Sequence, residues 1–339
     1  MKLIGYIVLG VIILTIIIPV FIVKGCDLIQ REEGRIIGDL PQGDIQISVY
    51  NHRTQKGMTL GLEEYLVGVV GAEMPVIFDI EALKAQAVAA RTYTLKRLQS
   101  FGATPNEAHP QYDLCTDHTH CQAWISKEDR IQAWKEDKNL GLLDHVTLWN
   151  KLVDSVASTM GEVITYDGDL IDPLFHSTSG GKTENSEDYF TARVPYLRSV
   201  DSGYEDASPH LLTKATMTVK EFIDRLKKEY PDIKIDGKKI EKEIRILDHT
   251  EGGKIRRIQI GNKTLSGREA REALGLKSSD FTVEVKGNTM TFHVVGYGHG
   301  VGMSQFGADG MAKQGSDYKA ILKHYYQGVE LVNIESLKP

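Results

Sequence analysis

Residues 69–93 read VVGAEMPVIFDIEALKAQAVAARTY, and the rest of the chain is organised around this stretch. A carboxylate, Glu73, ends an apolar segment and stands just before Pro75, which prevents simple continuation of a helix. An alanine-rich helix follows, and its small side chains let another backbone approach closely. We therefore expect this helix to be buried. An acid at a break between two apolar helices indicates a functional group.

The same buried helix carries Arg91. An unpaired buried charge is very costly, so this side chain requires an anionic partner. Glu73 is the nearest carboxylate candidate by position in the chain. Taken alone, the pattern leaves a structural ion pair and a catalytic role equally open.

Two later stretches are typical of segments that surround a ligand. Residues 175–185 read FHSTSGGKTEN, which combines a cluster of hydroxyls with two glycines that let a ligand approach the backbone. Residues 296–307 read GYGHGVGMSQFG. Glycines at alternate positions suit a backbone that passes close to a neighbouring segment or a ligand. We expect these stretches and residues 69–93 to form one cleft.

Local signals predict the elements between these stretches. Apolar periodicity predicts a helix over 62–70, and Asp79 is placed to cap a second helix over about 80–98. The pairs Thr218 with Glu221 and Ser266 with Glu269 begin further helices, and hairpins are expected over 162–176, 243–261 and 281–295. The fold class is α+β, with one large mixed domain at 45–335 and a possible inserted α+β module at about 200–285.

The N-terminus predicts a membrane anchor. Ile4–Val23 is nearly all apolar and is flanked by Lys2 and Lys24. About 20 such residues span a bilayer as a helix, and a cleaved signal peptide usually has a shorter apolar core. We expect an uncleaved, single-pass anchor at 1–26 and a linker at 27–44. The remaining chain is then extracytoplasmic at the cell membrane.

Composition limits the class of ligand. The 339 residues carry a formal net charge of −6, with 41% hydrophobic and 25% charged residues. Electrostatic binding of nucleic acid requires a basic surface, so nucleic-acid binding is not expected for this acidic chain. An uncharged polymer such as a glycan suits this composition well.

A compact loop at 108–124 predicts either a zinc site or a disulfide. It reads AHPQYDLCTDHTHCQAW and concentrates imidazole and thiol groups at His109, Cys115, His118, His120 and Cys121. Such ligands suit Zn²⁺. A Cys115–Cys121 disulfide is the alternative in an extracytoplasmic domain.

Four segments in order resemble the stage II sporulation protein D family and the wider group of amidase-enhancer proteins. They read EYLVGVVGAEMP, EALKAQAVAARTY, FHSTSGGKTEN and GHGVGMSQFGA, within a resemblance that extends from about Ser48 to the end of the chain. The resemblance implies a membrane-anchored lytic transglycosylase of endospore formers, which cleaves peptidoglycan strands already freed of peptide stems. It also implies action with stage II sporulation proteins P and M during engulfment of the forespore.

The resemblance also implies roles for particular residues. Glu73 falls on the family's catalytic glutamate, and His109, Cys115 and Cys121 fall on its zinc site, in a structural or catalytic capacity. The fourth zinc position remains open between water, His118 and His120. Residues expected to bind the glycan are Arg91, Tyr166, Thr183, Tyr196, Arg198 and Gln305.

The number of carboxylates separates the possible reactions. Hydrolytic glycosidases usually use two carboxylates, and only Glu73 is a convincing candidate here. A lytic transglycosylase requires one, because the 6-hydroxyl of the substrate's own muramic acid attacks the anomeric carbon. The alternative is a non-catalytic glycan-binding protein that recruits or activates a cell-wall amidase. A zinc hydrolase is disfavoured because the chain has no H-E-x-x-H helix.

Overall fold

The structure is a computed structural model that describes residues 45–105 and 107–337. The predicted anchor at 1–26 and linker at 27–44 lie outside the described residues. Within the described ranges, none of the helices is long and apolar enough to cross a membrane. The described chain is a mixture of α-helices and β-strands, as the α+β prediction requires.

The elements follow one another along the chain in a mixed order. The α-helices of the described residues are α1 Leu62–Glu73, α2 Ile80–Lys96, α3 Lys127–Glu136, α4 His145–Ala157, α5 Ser186–Tyr189, α6 Val219–Glu229, α7 Ile240–Glu243, α8 Gly267–Leu274, α9 Gln305–Lys313 and α10 Tyr318–Tyr325. The strands are β1 Gln46–Asn51, β2 Lys56–Gly61, β3 Leu114–Cys115, β4 Glu162–Tyr166, β5 Asp169–Leu170, β6 Phe175–His176, β7 Gly181–Lys182, β8 Asp201–Ser202, β9 Leu212–Thr218, β10 Ile244–His249, β11 Ile255–Ile260, β12 Lys263–Ser266, β13 Asp280–Lys286, β14 Thr289–Val295, β15 Met303–Ser304 and β16 Glu330–Asn333.

Helix α2 is the centre of the main core. It packs against α1, α4, α9, α10 and strand β4. Its alanines are fully buried, as their small size predicted, because neighbouring backbones approach closely on several sides. Asp79 accepts a hydrogen bond from the N–H of Glu81 at 2.9 Å and so caps the helix as expected.

Small sheets surround the main core. Strand β1 pairs antiparallel with β2 and parallel with β3, which places Cys115 of the cysteine loop beside the first hairpin. Strand β4 lies between β16 and β5 in an antiparallel sheet. The turn between β4 and β5 uses Asp167 and Gly168, both at positive φ, as the predicted hairpin requires.

A second hydrophobic core draws its buried residues from 217–294. Two three-stranded antiparallel sheets, with the orders β13-β14-β9 and β10-β11-β12, supply its strands. Helices α6 and α8 pack together and begin at the capping boxes predicted at Thr218 and Ser266. The separate core overlaps the insertion predicted at about 200–285, although the boundaries of a module remain a prediction.

The glycine-rich stretch after β14 passes directly against the segment around β6. Strand β15 pairs in parallel with β6. A Cβ on Gly302 would lie 2.1 Å from the carbonyl oxygen of Leu174, and one on Gly298 would lie 2.7 Å from the Cβ of His176. Both glycines have positive φ, so the close approach and the backbone conformation require glycine.

Candidate active site

The three expected stretches meet in one cleft of about 1150 Å³. Its lining draws Glu73 and Pro75 from the first stretch, and the segment after β5 contributes Phe175. The glycine-rich stretch and the start of α9 contribute further lining residues, among them Gly298, His299, Gln305 and Phe306. The predicted convergence is therefore confirmed by the residues that line the cleft.

Glu73 is the last residue of α1, and Met74 leaves the helix in an extended conformation. The backbone N–H of Ala123 donates to Oε1 of Glu73 at 2.8 Å, and the nearby side-chain amide of Gln305 also favours the charged carboxylate. Burial outweighs these two interactions and raises the pKa of Glu73 to about 7. A carboxyl group with this pKa can both donate and accept a proton near neutral pH.

Gln305 reaches the carboxylate from the first turn of α9. Its Nε2 lies 3.5 Å from Oε1 of Gln86, a fully buried residue of α2. The two amides connect the central helix to the candidate acid. Gln305 lines the cleft, so its predicted contact with a glycan remains compatible with its position.

The structure does not support the prediction that Arg91 binds substrate. Its side chain is fully buried and does not line the cleft. Its Nε and Nη2 donate to the two carboxylate oxygens of Glu63 at 2.8 and 2.6 Å. Nη1 donates to the carbonyl oxygen of Glu162 at 3.1 Å. Glu63, rather than Glu73, is therefore the partner that burial of this arginine requires.

The structure also places Tyr166 and Tyr196 away from the lining of the cleft. Their rings pack against each other with centroids 5.5 Å apart. The hydroxyl of Tyr196 accepts a hydrogen bond from the N–H of Asp172 at 2.9 Å. These contacts give both rings a packing role, and the cleft does not present them to a ligand.

Thr183 and Arg198 likewise lie outside the lining of the cleft. Thr183 is fully buried, and its Oγ1 accepts from the N–H of Val200 at 2.9 Å. The Arg198 guanidinium binds both carboxylate oxygens of Glu187, with Nη1 at 2.8 Å from Oε1. Among the residues predicted to bind the glycan, the cleft thus contains Gln305 alone.

The cysteine loop brings together Cys115, His120 and Cys121, whose possible ligand atoms all lie within 4.8 Å of one another. Nδ1 of His120 is 3.4 Å from Sγ of Cys115 and 3.6 Å from Sγ of Cys121. The two cysteines are not joined in a disulfide. Two thiolates and one imidazole at these separations fit Zn²⁺ with a fourth position left for another ligand.

The expectation that His109 completes this group is not met by the structure. Its ring stacks on Tyr50 with centroids 4.0 Å apart, and His120 occupies the place beside the thiols. His120 and Cys121 also line the cleft that contains Glu73. A metal held here would therefore stabilise the loop whose Ala123 N–H binds the candidate acid.

Comparison with known proteins places the chain in a family. Residues 50–166 match the family described as Stage II sporulation protein. Stage II sporulation protein D of Bacillus subtilis (strain 168) is 40% identical over 292 residues, which cover 86% of this chain and 80% of that protein. The chain belongs to the stage II sporulation protein D family.

Two further relatives show how far the similarity extends. Stage II sporulation protein D of Bacillus amyloliquefaciens is 35% identical over 99% of this chain and 97% of that protein. The amidase enhancer of Bacillus subtilis (strain 168) is 29% identical over 79% of this chain and 40% of that protein. The family resemblance of the four sequence motifs is therefore confirmed.

Two histidines that line the cleft, His176 and His299, are neutral and form hydrogen bonds with neighbouring protein groups. Burial lowers the pKa of His299 to about 4, and its Nδ1 accepts from the N–H of Val301 at 3.1 Å. Burial also lowers the pKa of His176, whose Nδ1 lies 3.2 Å from the carbonyl oxygen of Val301 and whose Nε2 lies 3.0 Å from Oγ of Ser179. These bonds favour a packing role for both rings.

Sequence reasoning missed the contribution of helix α3, which supplies Arg130 and Trp134 to the cleft. The available signal was their four-residue spacing, which places both side chains on one face of a helix close to the cysteine loop. The sequence analysis treated this helix as a connecting element. Its face is in fact one wall of the cleft.

Proposed function

We propose that this chain is a membrane-anchored lytic transglycosylase that cleaves peptide-free peptidoglycan strands to 1,6-anhydromuramic products during endospore engulfment. One observation carries the proposal: a single partly buried carboxyl group, Glu73, has its pKa raised to about 7 inside a cleft of about 1150 Å³. A group in this state serves as acid and base in turn at neutral pH. Membership of the sporulation family supports the biological setting.

The proposed reaction uses Glu73 twice. The protonated carboxyl group gives its proton to the glycosidic oxygen as the bond between that oxygen and C1 of muramic acid breaks. The resulting carboxylate takes the proton of the muramic 6-hydroxyl as O6 forms a bond to C1. Glu73 returns to its protonated state, and water is not consumed. The hydrogen bond from Ala123 and the nearby amide of Gln305 stabilise the carboxylate before the second step.

A second carboxylate at the cleft, Asp137, is less suited to a role in hydrolysis. It is exposed, and its Oδ1 accepts from the N–H groups of Asn139 and Leu140 after the end of α3. A hydrolytic glycosidase requires its second carboxylate free to activate water or attack C1. The turn contacts of Asp137 favour the mechanism with one carboxylate.

The setting of the enzyme is part of the proposal. The apolar segment Ile4–Val23 would anchor it in the cell membrane, with the described domain outside the cytoplasm. Zinc held by Cys115, His120 and Cys121 would supply a structural link in the loop beside Glu73. Its partners would be peptidoglycan strands and stage II sporulation proteins P and M, without nucleic acid.

A second candidate function follows from the relative named amidase enhancer. In that case the same cleft would bind glycan strands without cutting them, and the protein would recruit or activate a cell-wall amidase. The raised pKa of Glu73 has no evident purpose in a protein that only binds. We therefore favour the transglycosylase.

Mass spectrometry of products tests the proposal. Full-length protein is incubated with peptide-free strands, beside Glu73→Gln and a matched control, Glu64→Gln, which changes an exposed acid on the same helix. Products with 1,6-anhydromuramic ends from the parent and from Glu64→Gln, and none from Glu73→Gln, support the transglycosylase. Reducing ends indicate hydrolysis and direct attention to Asp137. Intact strands that remain bound favour the amidase-recruiting protein.

A further inference from the structure

Arg130 is a cation in the cleft that has no anionic partner among the residues that the structure describes. Helix α3 carries it into the same lining that contains Glu73. Its Nε is buried and has no hydrogen-bond partner among the described residues, and the guanidinium forms no ion pair with any of them. A partly buried charge left in this state is costly, which indicates that its partner is a ligand.

The surroundings of Arg130 disfavour its charged form and do not supply an anion. Burial and the nearby guanidinium of Arg53 both lower the pKa of Arg130. Trp134 lies beneath it, with the guanidinium carbon 6.0 Å from the ring centroid. Asp137 lines the same cleft, yet it forms no ion pair with Arg130 and directs Oδ1 to backbone N–H groups.

The second arginine of the cleft provides a contrast. Arg97 also lines the cleft, but its Nη2 lies 3.1 Å from a carboxylate oxygen of Asp172 and its guanidinium stacks 3.5 Å over the ring of Tyr93. The internal partners of Arg97 are in place before any ligand arrives. Of the two arginines that line the described cleft, Arg130 is therefore the one that remains available to an anionic group of the substrate.

We propose that Arg130 binds the lactyl carboxylate of a muramic acid residue and thereby selects strands without peptide stems; this inference rests on the proposed function of the cleft. In a strand that carries peptides, the lactyl group is an uncharged amide. Removal of the peptide leaves one carboxylate on each muramic acid. Arginine binds carboxylates in a fork geometry, through two parallel N–H donors.

The test measures binding separately from cleavage. All titrations use full-length protein carrying Glu73→Gln, so that strands stay intact. The probes are peptide-free strands and the same strands after their lactyl carboxylates have been coupled to methylamine. Arg130→Gln and Arg130→Lys are added to this background. Arg257→Gln is the matched control, because Arg257 pairs with Asp248 on an exposed hairpin outside the cleft.

We expect the Glu73→Gln protein to bind the free acid roughly tenfold more tightly than the methylamide, as a charged hydrogen bond allows. Arg130→Gln should abolish this preference and the associated dependence on salt. Arg130→Lys should restore part of the preference, and Arg257→Gln should retain it fully. Circular dichroism checks that each variant is folded.

Two results would overturn the inference. Equal affinity for the acid and the methylamide in the Glu73→Gln protein would show that the cleft does not sense the lactyl charge. A preference that persists in folded Arg130→Gln would assign it to another residue. The proposed function is judged separately, from anhydro products of the parent protein. Cleavage without charge preference removes the inference alone, and charge preference without cleavage removes the transglycosylase alone.

Discussion

The backbone N–H of Ala123 donates to Oε1 of Glu73 at 2.8 Å. Ala123 is the second residue after Cys121, so the loop that gathers the thiols also positions the candidate acid. This bond lowers the pKa of Glu73, while burial raises it to about 7. The group formed by Cys115, His120 and Cys121 and the candidate acid are thus coupled through one short segment of backbone.

Metal removal is expected to act through this segment. A loosened loop would weaken the Ala123 bond, and the pKa of Glu73 would rise further because a bond that favours its charged form is lost. The pH profile of kcat/KM should shift to higher pH after chelation, with a lower maximum. Added Zn²⁺ should reverse both changes. A chelated enzyme with an unchanged profile would show that the loop holds Glu73 without metal.

The identity of the imidazole ligand is a second prediction. His120→Asn should reduce bound zinc, because His120 stands beside both thiols. His109→Asn serves as the matched variant and should keep its zinc, since that ring stacks on Tyr50. Metal content of the purified variants, measured by atomic emission, decides between them. Zinc lost only from His109→Asn would support the ligand set implied by the family resemblance.

Stability should respond to pH through Glu73. Its pKa rises from 4.5 to about 7 on folding, so burial of the neutral group contributes stability below pH 4.5. That contribution is lost as pH increases through about 7, because the folded chain must then bury a charge. Glu73→Gln does not ionise. Its stability relative to the parent should therefore increase between pH 4.5 and 8, by about 2 kcal/mol once partial exposure is allowed for.

Urea unfolding at the two pH values measures this difference. Glu64→Gln is again the control, because Glu64 is exposed on the same helix and its substitution should change little with pH. A stability difference between Glu73→Gln and the parent that is the same at pH 4.5 and at pH 8 would mean that the folded protein accommodates the charged carboxylate without cost.

Local chemistry made much of the fold predictable from sequence. The capping boxes at Thr218 and Ser266 begin helices where expected, because their hydrogen bonds join residues three apart. The first helix was predicted to end at residue 70 and in fact continues through Glu73. Pro75 restricts the residue before it, so Met74 is extended while Glu73 stays helical.

The parts of the site that depend on packing between elements could not be predicted. Arg91 and Glu63 lie on neighbouring helices, 28 residues apart, and only the way these helices pack brings them together. His109 and His120 are equally plausible ligands by composition. A turn in which Cys121 N–H donates to the carbonyl oxygen of Asp117 at 2.7 Å places His120 by the thiols.

The buried pair of Arg91 and Glu63 gives the last prediction. Arg91→Met and Glu63→Gln should each cost about 3–5 kcal/mol of unfolding free energy, because each leaves a buried partner uncompensated. The double variant should lose less than the sum. Urea unfolding of the four proteins measures this coupling, with the exposed Arg257 replaced by Met as the control that changes little. The fraction that folds should cleave with a parental KM, because Arg91 does not reach the cleft. A stable Arg91→Met protein with a greatly raised KM would instead support a role for this arginine in substrate binding.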